Sequence, residues 1–236
     1  MKAAVLVLGL TLLTSCGGGG TVGTLQLSFQ PQGLQPPTVL RSGVVFLGDS
    51  IFGGWDLDAE FPGRGYVNGG MFGFRTDQLL ALLPEVLSGK KVCHGLEGNS
   101  DFPLSCAQLS QPPATIVLFA GWNDMIQSVP EDVIVFNLRT IVDRAHAQGV
   151  EVVLCVPYRW DSSHLAPWMQ PFTPTAALFP YSPTELPLDA ELRATLFTPV
   201  ADFDSMLYGR AAYTTDGLHP NHVGYAALHG ALPPLQ

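Results

Sequence analysis

The sequence predicts an α/β fold built on parallel strands, and three observations predict it. "VVFLG" at 44–48, "TIVLFAG" at 115–121 and "EVVLCVP" at 151–157 are apolar runs without polar alternation, as strands covered on both faces require. Between the last two, Ile134, Leu138, Ile141 and Ala145 recur at helical spacing on one face. The connections are short, so strand, helix and strand form a βαβ unit with a right-handed crossover.

In chain order, one cation at Lys2 precedes an apolar run from Ala3 to Leu13, too short to span a bilayer. Residues 1–15 are therefore expected to be an export signal. "LTSC" at 13–16 resembles the lipobox of bacterial lipoproteins. That resemblance implies cleavage before Cys16 and a diacylglycerol and acyl (palmitate-type) anchor on its sulfur and amine. The mature protein would then be exported and held at a membrane surface of the bacterial envelope, each buried methylene adding about 0.8 kcal/mol. An ordinary secretory signal cut nearby is the alternative. Residues 16–43, rich in Gly, Pro and Gln, read as a flexible tether in which "TLQLSF" is a candidate edge strand. Residues 44–236 suffice for one domain with a full core.

Within that domain "TDQLLALLPEVLSG", 76–89, reads as a helix kinked or shortened at Pro84. The helix before the third strand is expected to open on a capping box, Ser128 with Glu131, and to end at Gly149. "PVADFDSM" from 199 is a further strand candidate. Residues 157–187 hold seven prolines and six aromatics, Trp160 and Trp168 among them. So long an irregular segment, too aromatic for disorder, is read as the wall or lid of a substrate cleft.

The formal charge of −9, from 20 acids and 11 bases, becomes −10 once Lys2 is removed, and no basic run exists. This argues against nucleic acid as a partner and against electrostatic docking to anionic lipid. In an exported protein Cys93 and Cys106, flanking the loop-like "CHGLEGNSDFPLSC", are a plausible disulfide, while Cys155 inside "VVLCV" suits a buried thiol. The absence of CxxC pairs argues against zinc.

The chemistry gathers where strands end. "VVFLGDSIFGG" runs the first strand into Gly48, Asp49 and Ser50, and the C-terminal edge of an open α/β sheet is where its binding crevice lies. Ser50 is therefore a candidate nucleophile, with helix capping as the plainer alternative. A serine nucleophile needs a base, an orienting acid and oxyanion donors. "TIVLFAGWND" brings the Asn123 carboxamide to the same edge, as an oxyanion donor or merely a turn residue. "TTDGLHPNH" sets Asp216 three residues before His219, with a turn at Gly217 that can fold the carboxylate onto the imidazole and Pro220 opening a helix. Asp216, His219 and His222 could also be metal ligands, but no further acid or Cys completes such a site. Asp49 reads as a local hydrogen-bonding group; His94, His146, His164 and His229 show no partner spacing.

"FLGDS", "NGGMFG", "GWND" and "DGLHPN" resemble the four ordered blocks of the SGNH, or GDSL, hydrolase family across residues 44 to 230. The resemblance implies a three-layer α/β/α sandwich, flavodoxin-like, with a parallel sheet of about five strands. It implies Ser50 as nucleophile, His219 as general base, Asp216 as its partner, and an oxyanion hole of the Ser50 and Gly73 backbone N–H groups and Asn123. Gly73 is placed by counting five residues past Asn68. Ile51 stands where a leucine is usual, and Phe72 and Phe74 make the second block more apolar than in many members. Such a site needs no metal or cofactor. The expected activity is hydrolysis of lipid-like or O-acetylated carbohydrate esters, with Trp122, Trp160 and Trp168 against the acyl chain or sugar ring. The rivals are a non-catalytic envelope-binding lipoprotein and an O-acyltransferase using the same site.

Overall fold

The computed structural model describes residues 39–40, 43–158, 167 and 199–235, all within one compact unit running from Pro36 to Gln236. Strand β1 (Val39–Leu40) is followed by β2 (Val44–Gly48), α1 (Ser50–Gly53), α2 (Leu57–Glu60) and β3 (Val67–Gly70). Next come α3 (Thr76–Leu87), β4 (Val92–His94), β5 (Ser105–Leu109), β6 (Thr115–Phe119), α4 (Trp122–Ile126) and α5 (Glu131–His146). Among the described residues, strands β7 (Glu151–Cys155) and β8 (Val200–Ala201), α6 (Phe203–Leu207), a short 3-10 turn (Ala211–Tyr213) and α7 (His222–Ala231) follow.

Among the described residues the main sheet has five strands in the order β3-β2-β6-β7-β8, and every pairing is parallel. From β2 to β3 the chain winds one way; from β3 through β6 to β7 it winds the other. Right-handed crossovers therefore put α3 and α5 on one face, where they pack together. On the other, α7 packs against both α2 and α6. This is the expected three-layer sandwich. Its winding reverses between β2 and β6, and at such a switch point the loops leaving adjacent strands diverge and open a crevice. Both strands are wholly buried, as their unbroken apolar runs require.

Local details depart from the sequence reading. Val39–Leu40, assigned to the tether, pair in parallel with β5, which pairs antiparallel with β4 in a second, three-stranded sheet. Helix α3 carries Pro84 inside it and continues to Leu87, because the proline falls in the last turn. Helix α5 does bury Ile134, Leu138, Ile141 and Ala145. It opens on Pro130 with no side-chain cap, since Ser128 sits at φ 59, outside the helix. It stops at His146, and the left-handed turn at Gly149 leads into β7. The segment from 199 forms only the two-residue β8 before its acids enter α6, where Asp202 caps Ser205 N–H at 3.1 Å. Asn221, not Pro220, caps α7, accepting from Val223 and Gly224 N–H. The signal and anchor at 1–16 and "TLQLSF" lie outside the described residues.

The end of β3 meets α1 backbone to backbone. A Cβ on Gly70 would lie 2.0 Å from Gly53 N and 2.5 Å from the Phe52 carbonyl carbon. Neither neighbour is a side chain that could swing aside. Gly70→Ala is therefore expected to destabilise the protein by about 3 kcal/mol, read from urea unfolding.

Candidate active site

Ser50 is the first residue of α1, immediately past β2. Asp49 is its N-cap: Oδ1 accepts the Ile51 N–H at 2.9 Å, which fixes the sharp turn from strand to helix. The first turn leaves the Ser50 N–H without an intrahelical acceptor. Two side chains that local spacing does not show hold the helix from outside. Tyr225, on α7, donates its hydroxyl to Ile51 O at 2.8 Å. Asn68 donates to Phe52 O at 2.7 Å and Trp55 O at 3.0 Å and accepts from Gly70 N–H at 2.8 Å, pinning the far end of α1 to β3.

His219 Nε2 lies 3.0 Å from Ser50 Oγ, and its Nδ1 lies 2.7 Å from Asp216 Oδ2. The other Asp216 oxygen accepts the backbone N–H groups of Leu218 at 3.0 Å and His219 at 2.7 Å. Gly217, at φ 91, makes the turn that returns the carboxylate to the ring. Burial acts to raise the Asp216 pKa, but the bonds from the His219 side chain and backbone, with Leu218 N–H, outweigh it and hold the carboxyl below its usual range. An ionised carboxylate only accepts, so Nδ1 carries the proton and Nε2 is the acceptor facing Ser50. The buried Tyr158 donates its hydroxyl to Leu218 O, bracing the histidine loop; this support too spans 60 residues of chain.

Asn123 leaves β6 in the first turn of α4. Its Nδ2 donates to Phe74 O at 3.0 Å and has a long contact of 3.5 Å with Asp49 Oδ2, leaving one amide hydrogen only weakly engaged. Next to it, buried Asp124 accepts from Thr76 N–H at 2.9 Å and Thr76 Oγ1–H at 2.6 Å, tying α4 to the start of α3. Gly73 is exposed at φ 77. Its neighbours are tied, Phe72 N–H to Gly95 O and Phe74 N–H to Met71 O, both at 3.2 Å; among the described residues the Gly73 N–H itself has no backbone acceptor.

The remaining expected site residues divide. Trp122 is buried, 4% exposed, and its ring meets Tyr158 edge-on, so it serves the core and presents little surface to a ligand. Trp160 and Trp168, like the lipidation site Cys16, lie outside the described residues. Cys93 and Cys106 face each other on β4 and β5 and are bonded; Cys155 is a buried free thiol. His229 pairs with Glu60 at 2.8 Å. Among the described residues no His, Cys, Asp or Glu cluster is arranged for a metal ion. A cavity of about 660 Å³ beside the α1 end, lined by Gly53, Tyr66, Asn68, His94 and Phe102 among others, contains neither Ser50 nor His219.

Burial pushes Asp49 up to about 7 against the opposing Ile51 N–H bond and the attraction of His219. Above its ordinary 3.8 the native state keeps a proton that the unfolded chain releases, so this group's contribution to stability is full at low pH and lost as pH rises through about 7. Asp49→Asn keeps the acceptor for Ile51. Its urea midpoint relative to the parent protein is expected to rise between pH 5 and pH 8.

The GDSL-like Lipase/Acylhydrolase family model matches residues 46–227, from the strand before Ser50 to the helix after His219. The chain belongs to this family. It is thus a GDSL-type carboxylic ester hydrolase. Among solved structures, a GDSL-like lipase from Bacteroides thetaiotaomicron is similar at 23% identity and TM-score 0.55, covering 81% of this chain and 84% of that one. A lipolytic G-D-S-L family protein from Veillonella parvula is similar at 17% identity and TM-score 0.53, covering 81% and 95%. An acetylxylan esterase from Geobacillus stearothermophilus, in a catalytic-mutant form, is similar at 16% identity and TM-score 0.51, covering 84% and 94%. At these identities the likeness is one of fold. No curated protein matches the sequence.

Proposed function

We propose that this GDSL hydrolase is a serine esterase working through Ser50, His219 and Asp216. The observation that carries the reading is the continuous relay from Ser50 Oγ through both His219 nitrogens to Asp216, at 3.0 and 2.7 Å. Ser50 Oγ attacks the ester carbonyl as its proton passes to Nε2, and Asp216 stabilises the resulting imidazolium. The carbonyl oxygen becomes an oxyanion, held by the N–H groups of Ser50 and Gly73 and by Asn123. Collapse breaks the carbon–oxygen bond to the alcohol, which leaves with the proton from Nε2. A water then gives its proton to Nε2 and attacks the acyl carbonyl; collapse breaks the bond to Ser50 Oγ, which takes the proton back from Nε2, and the acid is freed.

For substrate, the reading is a lipid-like or O-acetylated carbohydrate ester; Phe72 and Phe74 flanking Gly73 make this part of the wall more apolar. The short apolar run and "LTSC" support export and anchoring through Cys16. The test is the initial rate on p-nitrophenyl esters from acetate to palmitate, with the full chain and its Ser50→Ala variant. A Ser50-dependent rate peaking at acetate assigns a small-acyl pocket and glycan esters; a peak at longer chains assigns lipid. Folded protein with no Ser50-dependent rate on any ester overturns the reading.

A further inference from the structure

The position of the Gly73 N–H depends on what holds residues 71–74. Beside the turn bond from Phe74 N–H to Met71 O and the Asn123 amide on Phe74 O, the backbone ahead of Gly73 is tied to its neighbours by Met71 N–H, which donates to Gly48 O at 2.8 Å, and by Phe72 N–H, which donates to Gly95 O at 3.2 Å. The Phe72 ring is held between two surfaces. On one side is α1, where a Cβ on Gly53 would come within 2.4 Å of Phe72 Cε2. Phe102 also packs on it, its ring stacked at 4.5 Å between centroids and 28° between planes.

Phe102 is 42% exposed, so burial alone does not explain its fixed place. It is held from the loop joining β4 to β5. Asn99 Oδ1 accepts the N–H groups of Asp101 at 2.8 Å and Phe102 at 2.9 Å, and Phe102 O accepts Leu96 N–H at 2.9 Å. At the base of that loop the Cys93–Cys106 bond closes the hairpin. The same hairpin supplies Gly95 O to Phe72 N–H. Backbone and side chain of the residue before Gly73 therefore both rest on one cross-linked element.

We propose that Phe102, on its disulfide-closed hairpin, is a positioning residue that backs the Phe72 ring against α1 and so fixes the Gly73 N–H relative to Ser50. The proposal rests on the reading of Gly73 as an oxyanion donor. A donor displaced by a fraction of an ångström weakens the hold on the oxyanion while leaving ground-state binding nearly intact.

The experiment compares Phe102→Ala and Phe102→Tyr on p-nitrophenyl acetate, with thermal unfolding as the control for folding. Phe102→Ala is expected to lower kcat about tenfold with KM within about twofold, because the loss falls on the transition state. Inhibition by phenylboronic acid, whose tetrahedral adduct on Ser50 occupies the same hole, is expected to weaken by a similar factor. Phe102→Tyr, which keeps the stacked ring, restores both. Wild-type kcat and boronate affinity in folded Phe102→Ala, or a loss that Phe102→Tyr does not restore, overturns the proposal. Asn123→Ala separates the two levels: if it leaves kcat and boronate affinity unchanged, the oxyanion-hole reading itself fails, whereas large losses there beside a silent Phe102→Ala sink only the positioning role.

Discussion

Ser50→Ala is expected to lower kcat/KM on any p-nitrophenyl ester by at least about 10⁴-fold, since removing a nucleophile leaves only binding and oxyanion stabilisation. Stability should hardly move. Among the described residues the Ser50 hydroxyl bonds to His219 Nε2, while α1 is held by other groups: the Asp49 cap, Asn68 and the Tyr225 hydroxyl. The variant's urea midpoint should thus correspond to a change within about 0.5 kcal/mol. A fluorophosphonate should label the parent protein and not the variant. Retained hydrolysis in folded Ser50→Ala would exclude the serine as nucleophile and move the chemistry to a water activated by His219.

What could be read from the sequence was local. Ser50, Asn123 and His219 follow elements that announce themselves by apolar runs and turn residues, and Asp216 lies one turn from His219. The βαβ core followed from hydrophobic patterning, because strands buried on both faces read as unbroken apolar runs while an amphipathic helix repeats its apolar residues at helical spacing. Helix ends were less legible: Ser128 offers capping chemistry, but the chain adopts a left-handed conformation there and Pro130 starts the helix instead. Least legible were the supports that cross the fold. Tyr225 reaches Ile51 across 174 residues, His229 reaches Glu60 across 169, and the Phe72–Phe102 stack depends on a hairpin that only the tertiary fold brings beside β3. A hydroxyl in a sequence carries no sign of its distant partner. Trp122 shows the converse, since a tryptophan beside a catalytic block invites a ligand role and is here buried with its ring edge-on to Tyr158.

The second large effect concerns Asp216, and it separates charge from geometry. Asp216→Asn preserves size, and the asparagine carbonyl can still accept from Leu218 and His219 N–H as Oδ1 does now. Its amide nitrogen then takes the place of Oδ2, 2.7 Å from His219 Nδ1, and presents hydrogens where the carboxylate presented a lone pair. The imidazole must answer by moving its proton to Nε2, the nitrogen facing Ser50. A protonated Nε2 cannot accept the serine proton. The expected result is a fall of about 10⁴ in kcat near neutral pH with the fold retained. KM should change far less, because Asp216 makes its contribution through His219 and not through the substrate. The pH profile adds a second readout. With Asp216 held below the usual carboxylate range, its pairing with His219 persists on the alkaline side of that range and is lost as pH falls through the lowered pKa. The parent protein should therefore lose stability on acidification more steeply than Asp216→Asn, measured as urea midpoints from pH 6 down to pH 3. A variant with parental kcat would show that His219 finds its working tautomer unaided, and the carboxylate would then be a turn-stabilising group only.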